Sequence, residues 1–143
     1  MTHEDQGHYA QKHPNSGSNP EIAKKIESMA DKDGLTCASA HRAAGDLRVS
    51  PLEVGIQADL MEIRITRCQM GLFGHGKGSK NLDPAIEVGE ELWKRLEEAG
   101  NNGRISCALC WEIAGEFKMK KLDLGSACEK LGLRVKPCQL GAF

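Results

Sequence analysis

Aromatic residues are scarce in this chain, with two Trp, one Tyr and three Phe among 143 residues, so any core must rely on Leu, Ile, Val, Ala and Met. No charge of one sign prevails either. Nineteen Lys and Arg stand against 20 Asp and Glu, for a net charge of −1, so no global positive field advertises nucleic acid and any basic patch must be local. No apolar run approaches the roughly 18 residues of a membrane span, and the N-terminus lacks the apolar stretch of a signal peptide. We therefore expect a cytoplasmic protein with no membrane partner. Six cysteines without an export signal read as reduced thiols rather than a disulfide framework. The chain has no P-loop, no dinucleotide fingerprint, no Ser-His-Asp arrangement and no paired carboxylates in an apolar setting. Nothing in it points to an enzyme or to a cofactor.

What is present is a repeat. Residues 21–73 recur at 91–143 without a gap, each position matched 70 further on. The register aligns Cys37 with Cys107, Ala44 with Ala114, Gly45 with Gly115, Leu52 with Leu122, Gly55 with Gly125 and Arg64 with Arg134. It ends on a shared Cys-Gln-x-Gly-x-Phe, from Cys68 to Phe73 and from Cys138 to Phe143. A gapless match of this length signals duplication of one structural unit.

The local signals in each copy give the same order of elements. A first helix starts near Pro20 or Glu90, with Ile22, Ile26 and Met29 or Leu92, Leu96 and Ala99 on one face, and we expect Gly34 and Gly103 to close it. A second helix follows Thr36 or Ser106, both good N-caps. A third begins at Ser50-Pro51, where Glu53 completes a capping box, and near Lys120 in the second copy. A short strand comes next, Ile63-Arg64-Ile65 or Leu133-Arg134-Val135. The predicted fold class is mostly α: two tandem three-helix units, each with a short β-strand, related by a pseudo-two-fold. The expected organisation is a disordered tail over 1–19, repeat 1 over 20–73, a linker over 74–89 and repeat 2 over 90–143. In the tail, His3, His8 and His13 lie at no ligand-like spacing. A unit of about 53 residues is marginal alone, so the copies should pack together, or swap elements with a second chain as a homodimer.

The second and third helices carry a family resemblance. AAGDLRVSPLEVGIQADLMEIRI and IAGEFKMKKLDLGSACEKLGLRV resemble helix-turn-helix segments, with a small residue where the helices cross, Val49 or Met119 in the turn, and Val54 or Leu124 anchoring the second helix. The trailing strand is similar to the start of a winged-helix wing. The resemblance implies that the third helix would enter a major groove while wing and turn touch phosphate. This sequence departs from the pattern at the turn, where Arg48 or Lys118 replaces the common Gly, and on the third helix, where Glu53 and Asp59 supply negative charge. Gln57 is the residue left to reach a base edge. Phosphate contacts then fall to Arg64, Arg67, Lys77 and Lys80 in the first copy and to Lys118, Lys120, Lys121, Arg134 and Lys136 in the second.

The thiols offer a separate reading. Cys37, Cys68, Cys107 and Cys138 form equivalent pairs, and Cys107-x-x-Cys110 has the spacing of a chelating or redox pair. The first copy, however, holds Ala40 where Cys110 stands, and small buried thiols explain the pattern without a metal. Gly55 and Gly125, inside helices, mark close packing. In the shared ending, Gly71 and Gly141 should turn at positive φ and Phe73 and Phe143 should plug the core. Three functional classes follow in order: a regulator associated with double-stranded DNA, a scaffold module that binds another protein without DNA, and a thiol-based metal or redox sensor.

Overall fold

The computed structural model describes residues 8–14, 16–75 and 80–142. It is mostly helical, and no helix among the described residues is long and apolar enough to cross a membrane. Two compact units emerge, one formed by Met1–Cys68 with Gln139–Phe143, the other by Gln69–Cys138. The chain therefore gives each unit the three helices of one copy and the closing tail of the other.

In the first unit, Asn19 caps α1 (Pro20–Met29), its side-chain oxygen accepting from the N–H groups of Glu21 and Ile22. Ile22 and Ile26 are the buried stripe of this helix. The helix ends at Ala30, not at Gly34. Gly34 instead shapes the turn that follows, because a Cβ there would overlap Arg64 O. β1 (Leu35–Thr36) leads into α2 (Cys37–Leu47), whose N-cap Thr36 accepts from Ser39 N–H at 3.1 Å. The α2 C-cap Arg48 sits in the left-handed region at φ 55°, a conformation that usually favours Gly. Ser50 and Glu53 form the reciprocal capping box of α3 (Pro51–Leu60), with Pro51 in the first turn. β2 (Ile65–Thr66) then pairs in parallel with β1, Leu35 opposite Ile65 and Thr36 opposite Thr66.

The second unit repeats this order with α4 (Glu90–Ala99), β3 (Arg104–Ile105), α5 (Cys107–Glu116), α6 (Lys121–Lys130) and β4 (Arg134–Val135). Its first helix closes at Gly100 rather than Gly103. Ser106 caps α5 as Thr36 caps α2. β3 and β4 are again parallel, Arg104 opposite Arg134. The trailing strand thus returns to the segment before the second helix. Among the described residues neither trailing strand pairs with a following strand as the start of a wing would.

The repeated ending seats differently from the expectation. Met70 and Leu140 are fully buried, at 0% and 2% exposure, whereas Phe73 is only half-buried. Phe143 lies outside the described residues. Gly71 and Gly141 do adopt positive φ, 76° and 73°. In the first unit the Leu140 backbone lies against Gly55, so closely that a Cβ there would overlap Leu140 O; in the second, the Met70 backbone lies on Gly125 in the same way. The repeated helical glycines are seats for the tails, and a side chain at either would displace backbone, not a movable tip.

Residues from the segment expected to be a disordered tail and from the one expected to be a linker pack on the third helices. Tyr9–Lys12 forms a 3-10 helix against α3, with Tyr9 buried. Glu62 accepts from the N–H groups of Tyr9 and Ala10, both at 2.9 Å. His13 Nε2 lies 2.6 Å and Lys12 Nζ 3.2 Å from Asp59 Oδ2. In the second unit, Asp83 N–H donates to Ser126 Oγ at 2.8 Å and Lys130 Nζ to Ile86 O at 2.7 Å, which fastens the expected linker to α6.

Candidate functional site

Whether the third helices can reach a ligand follows from what surrounds them. Along α3 only Leu52 and Glu53 are exposed; along α6 only Glu129 and Lys130. α3 packs against α1, α2 and the Tyr9–Lys12 helix, and it carries the Leu140 backbone on Gly55. α6 packs against α5 and β4 and carries Met70 on Gly125. Both helices are apolar or small around most of their circumference, which suits a central helix and not a solvent-facing one.

Two residues assigned to the outer face of α3 are therefore inside. Gln57, predicted to reach a base edge, is 3% exposed; its amide N–H₂ donates to Ser18 Oγ and its oxygen accepts from Asn19 N–H at 2.7 Å. Asp59, predicted to be exposed, is buried beneath Lys12 and His13, and its Oδ1 has no hydrogen-bond partner among the described residues. Sequence periodicity alone could not find this, because the covering residues, Tyr9–His13 with Ser18 and Asn19, have no apolar pattern of their own.

The predicted cations divide between the units. Arg64 and Arg67 are exposed in the first, Arg67 at φ 49°. Lys77 lies outside the described residues. In the second unit, Lys80 pairs with Glu129 at 2.9 Å. Lys118 and Lys120 are exposed around the α5–α6 turn, and Lys121 Nζ stands 4.1 Å from the Trp111 ring centroid, a cation–π contact. Arg134 and Lys136 are exposed on and just after β4.

Of the predicted cations, Lys80 lines a cleft that also holds the carboxylates of Asp83 and Glu129, and Lys136 lines a cleft without a carboxylate. Lys136 and Arg104 line a cleft of about 650 Å³ with Asn101, Asn102, Ser106 and Leu109, and Arg134 is the register partner of Arg104. Arg104 is absent from the predicted set, since it aligns with Gly34 and carries no repeat signal. An Asn-Gly turn builds the rim. Asn102 and Gly103 take φ 55° and 75°, and Asn101 and Arg104 exchange backbone hydrogen bonds of 2.8 and 3.1 Å, the geometry that Asn-Gly favours in a two-residue hairpin turn. No carboxylate lines this cleft, and among the described residues Arg104, Arg134 and Lys136 form no ion pair.

All six cysteines are buried. Cys37 and Cys68 belong to the first unit, Cys107, Cys110, Cys128 and Cys138 to the second. The strongest influence on Cys110 comes from Cys128, a residue outside the predicted set, and a weaker one from Cys107 at the Cys-x-x-Cys spacing. The hydrogen bond with Cys128 first, and burial second, hold the Cys110 thiol far above the ordinary thiol range. Among the described residues no group of three or more His, Cys, Asp or Glu is arranged to hold a metal ion. Compared with known proteins, the chain matches no family model, no curated protein and no solved structure.

Proposed function

We propose that this chain is a non-catalytic interaction module, built by duplicating a three-helix unit and exchanging the tails of the two copies within one chain. It keeps the helix order of a helix-turn-helix unit without a helix available for reading bases. The observation that carries this reading is the enclosure of α3 and α6, each left with two exposed residues. Direct readout needs several side chains of one helix projecting into a groove about 12 Å wide, and Leu52, Glu53, Glu129 and Lys130 offer one base-reading cation between them. Exchange of tails inside the chain also supplies what a homodimer would otherwise provide, so the reading needs no second copy.

Selection from a random duplex pool at low salt tests it. The expected result is no enriched consensus. A consensus bound about a thousandfold more tightly than scrambled duplex would overturn the reading, because such ratios require specific contacts. A second reading, in which duplex is gripped through phosphates alone, is favoured by the exposure of Arg64, Arg67, Lys118, Lys120, Arg134 and Lys136. It expects every duplex to be retained at low salt, with the log–log salt slope falling by about 0.9 for each cation removed. No retention at all decides for the interaction module.

A further inference from the structure

The cleft beside the β3–β4 ribbon has a chemistry that its counterpart in the first unit lacks. Two cations line it, Arg104 and Lys136, and Arg134 stands next to Arg104 in the parallel register. Asn101 and Asn102 line the same cleft. Ser106 accepts from Leu109 N–H through Oγ, which leaves its own O–H to donate outward. With no carboxylate in the lining, the field in the cleft has one sign. A concave site concentrates that field more than a flat surface does.

The same positions in the first unit carry the opposite character. Asp31, Lys32, Asp33 and Gly34 replace Asn101, Asn102, Gly103 and Arg104, and Thr66 replaces Lys136. Asp31 Oδ1 accepts from the N–H groups of Asp33 and Gly34 at 2.8 and 3.2 Å, so this turn closes on its own carboxylate. Thr66 is buried. One frame therefore presents an acidic turn in one unit and a basic cleft in the other.

We infer that the cleft of the second unit is a binding site for a phosphomonoester dianion. An arginine, a lysine, two asparagines and a serine line one cleft, a donor set that a terminal phosphate with three free oxygens can satisfy. A duplex backbone, whose phosphates carry one charge each and run in a line, calls for cations spread along a surface instead. The inference goes beyond the interaction-module reading and does not depend on it, since a free phosphoanion would serve as well as a phosphorylated side chain of a partner.

The test is a titration of the full-length ¹⁵N-labelled protein, followed by amide chemical shifts, with inorganic phosphate, O-phosphoserine and dimethyl phosphate as probes. Saturable shifts at residues 101–106 and at Lys136 with the first two probes, and no response at residues 31–36 and Thr66, are expected. Tighter binding of O-phosphoserine identifies a phosphorylated protein as the source, and equal binding identifies a free anion; either result supports the site. Equal shifts in the two turns, a response that does not saturate, or dimethyl phosphate binding as well as phosphate would overturn it. The double variant Arg104→Gln/Lys136→Thr should weaken phosphate binding at least about tenfold, as loss of charge-assisted bonds requires. Unchanged affinity in that variant also overturns the proposal. If the variant does not fold, the comparison of the two turns in the unaltered protein still decides.

Discussion

The two units keep one frame and fill it differently. Their helices begin at equivalent positions, both ribbons are parallel, and an ion pair joins the first helix to the second in each: Lys25 with Asp46 at 3.1 Å, Arg95 with Glu116 at 2.9 Å. The second of these is bidentate, and the Arg95 guanidinium holds the Glu116 carboxyl below its ordinary range. Beneath the frame, Ala40 and Ala58 of the first unit are replaced by the hydrogen-bonded thiols Cys110 and Cys128. On the third helix, Asp59 is buried under Lys12 and His13, whereas the matching Glu129 is exposed beside Lys80. What does not vary is the glycine under each tail. The lesson is that these backbone-to-backbone seats keep their glycine in both copies while side-chain pairs drift, the second unit gathering more thiols and cations than the first.

The sharpest way to break this comparison is to fill the invariant seats. Gly55→Ala and Gly125→Ala should each cost at least about 3 kcal/mol in chemical denaturation, because a methyl group would overlap a backbone carbonyl that cannot swing aside. Gly45→Ala and Gly115→Ala are the controls. Nothing lies within 4 Å of a Cβ at either position, so both should stabilise by up to about 1 kcal/mol through helix propensity. Tolerance of alanine at Gly55 or Gly125 would show that the tails do not need these seats.

A smaller effect separates the carboxylates. Asp59→Ala should cost about 2 kcal/mol, since it strands His13 and Lys12 over a buried position. Glu129→Ala should stay within about 0.5 kcal/mol, as expected for an exposed pair. Equal losses would mean that residues 8–14 do not cover α3 in solution.

The smallest effect lies with the thiols and shows in its pH dependence. Cys110, raised by its hydrogen bond to Cys128 and by burial, keeps a proton in the folded chain that the unfolded chain releases. For a raised acid, stability is full below the unfolded value and declines as pH rises above it. Denaturation midpoints should therefore fall above about pH 9, with one proton contributing about 1.4 kcal/mol per pH unit. Cys110→Ala/Cys128→Ala should remove one proton's share of that slope, at a cost near neutrality of about 1–2 kcal/mol for the lost sulfur packing. An unchanged alkaline slope would show that the pair does not hold its proton.

Much of the local structure was legible because its causes are local. Thr36, Ser50 and Ser106 announce helix starts through hydroxyls that satisfy N–H groups three residues on, and Ile22 and Ile26 announce a buried stripe through their spacing. The glycine seats at Gly55 and Gly125 were legible as helical glycines kept in both copies, although Gly45 and Gly115 carry the same signal over open space. The site was less legible. Gln57 and Asp59 look like surface residues on a helical wheel, and only the polar segment folded over them makes them interior. Arg104 carries no repeat signal, yet the parallel ribbon sets it opposite Arg134.

The sequence by itself determined the duplication, the six helices and their starts, because capping, periodicity and self-similarity act within a few residues of one another along the chain. Tertiary structure alone decided which copy each tail completes, which face of α3 and α6 is covered, and where the cations converge. Those outcomes depend on contacts between residues up to 129 positions apart, such as Lys12 with the Gly141 carbonyl, and no local pattern encodes a partner at that distance.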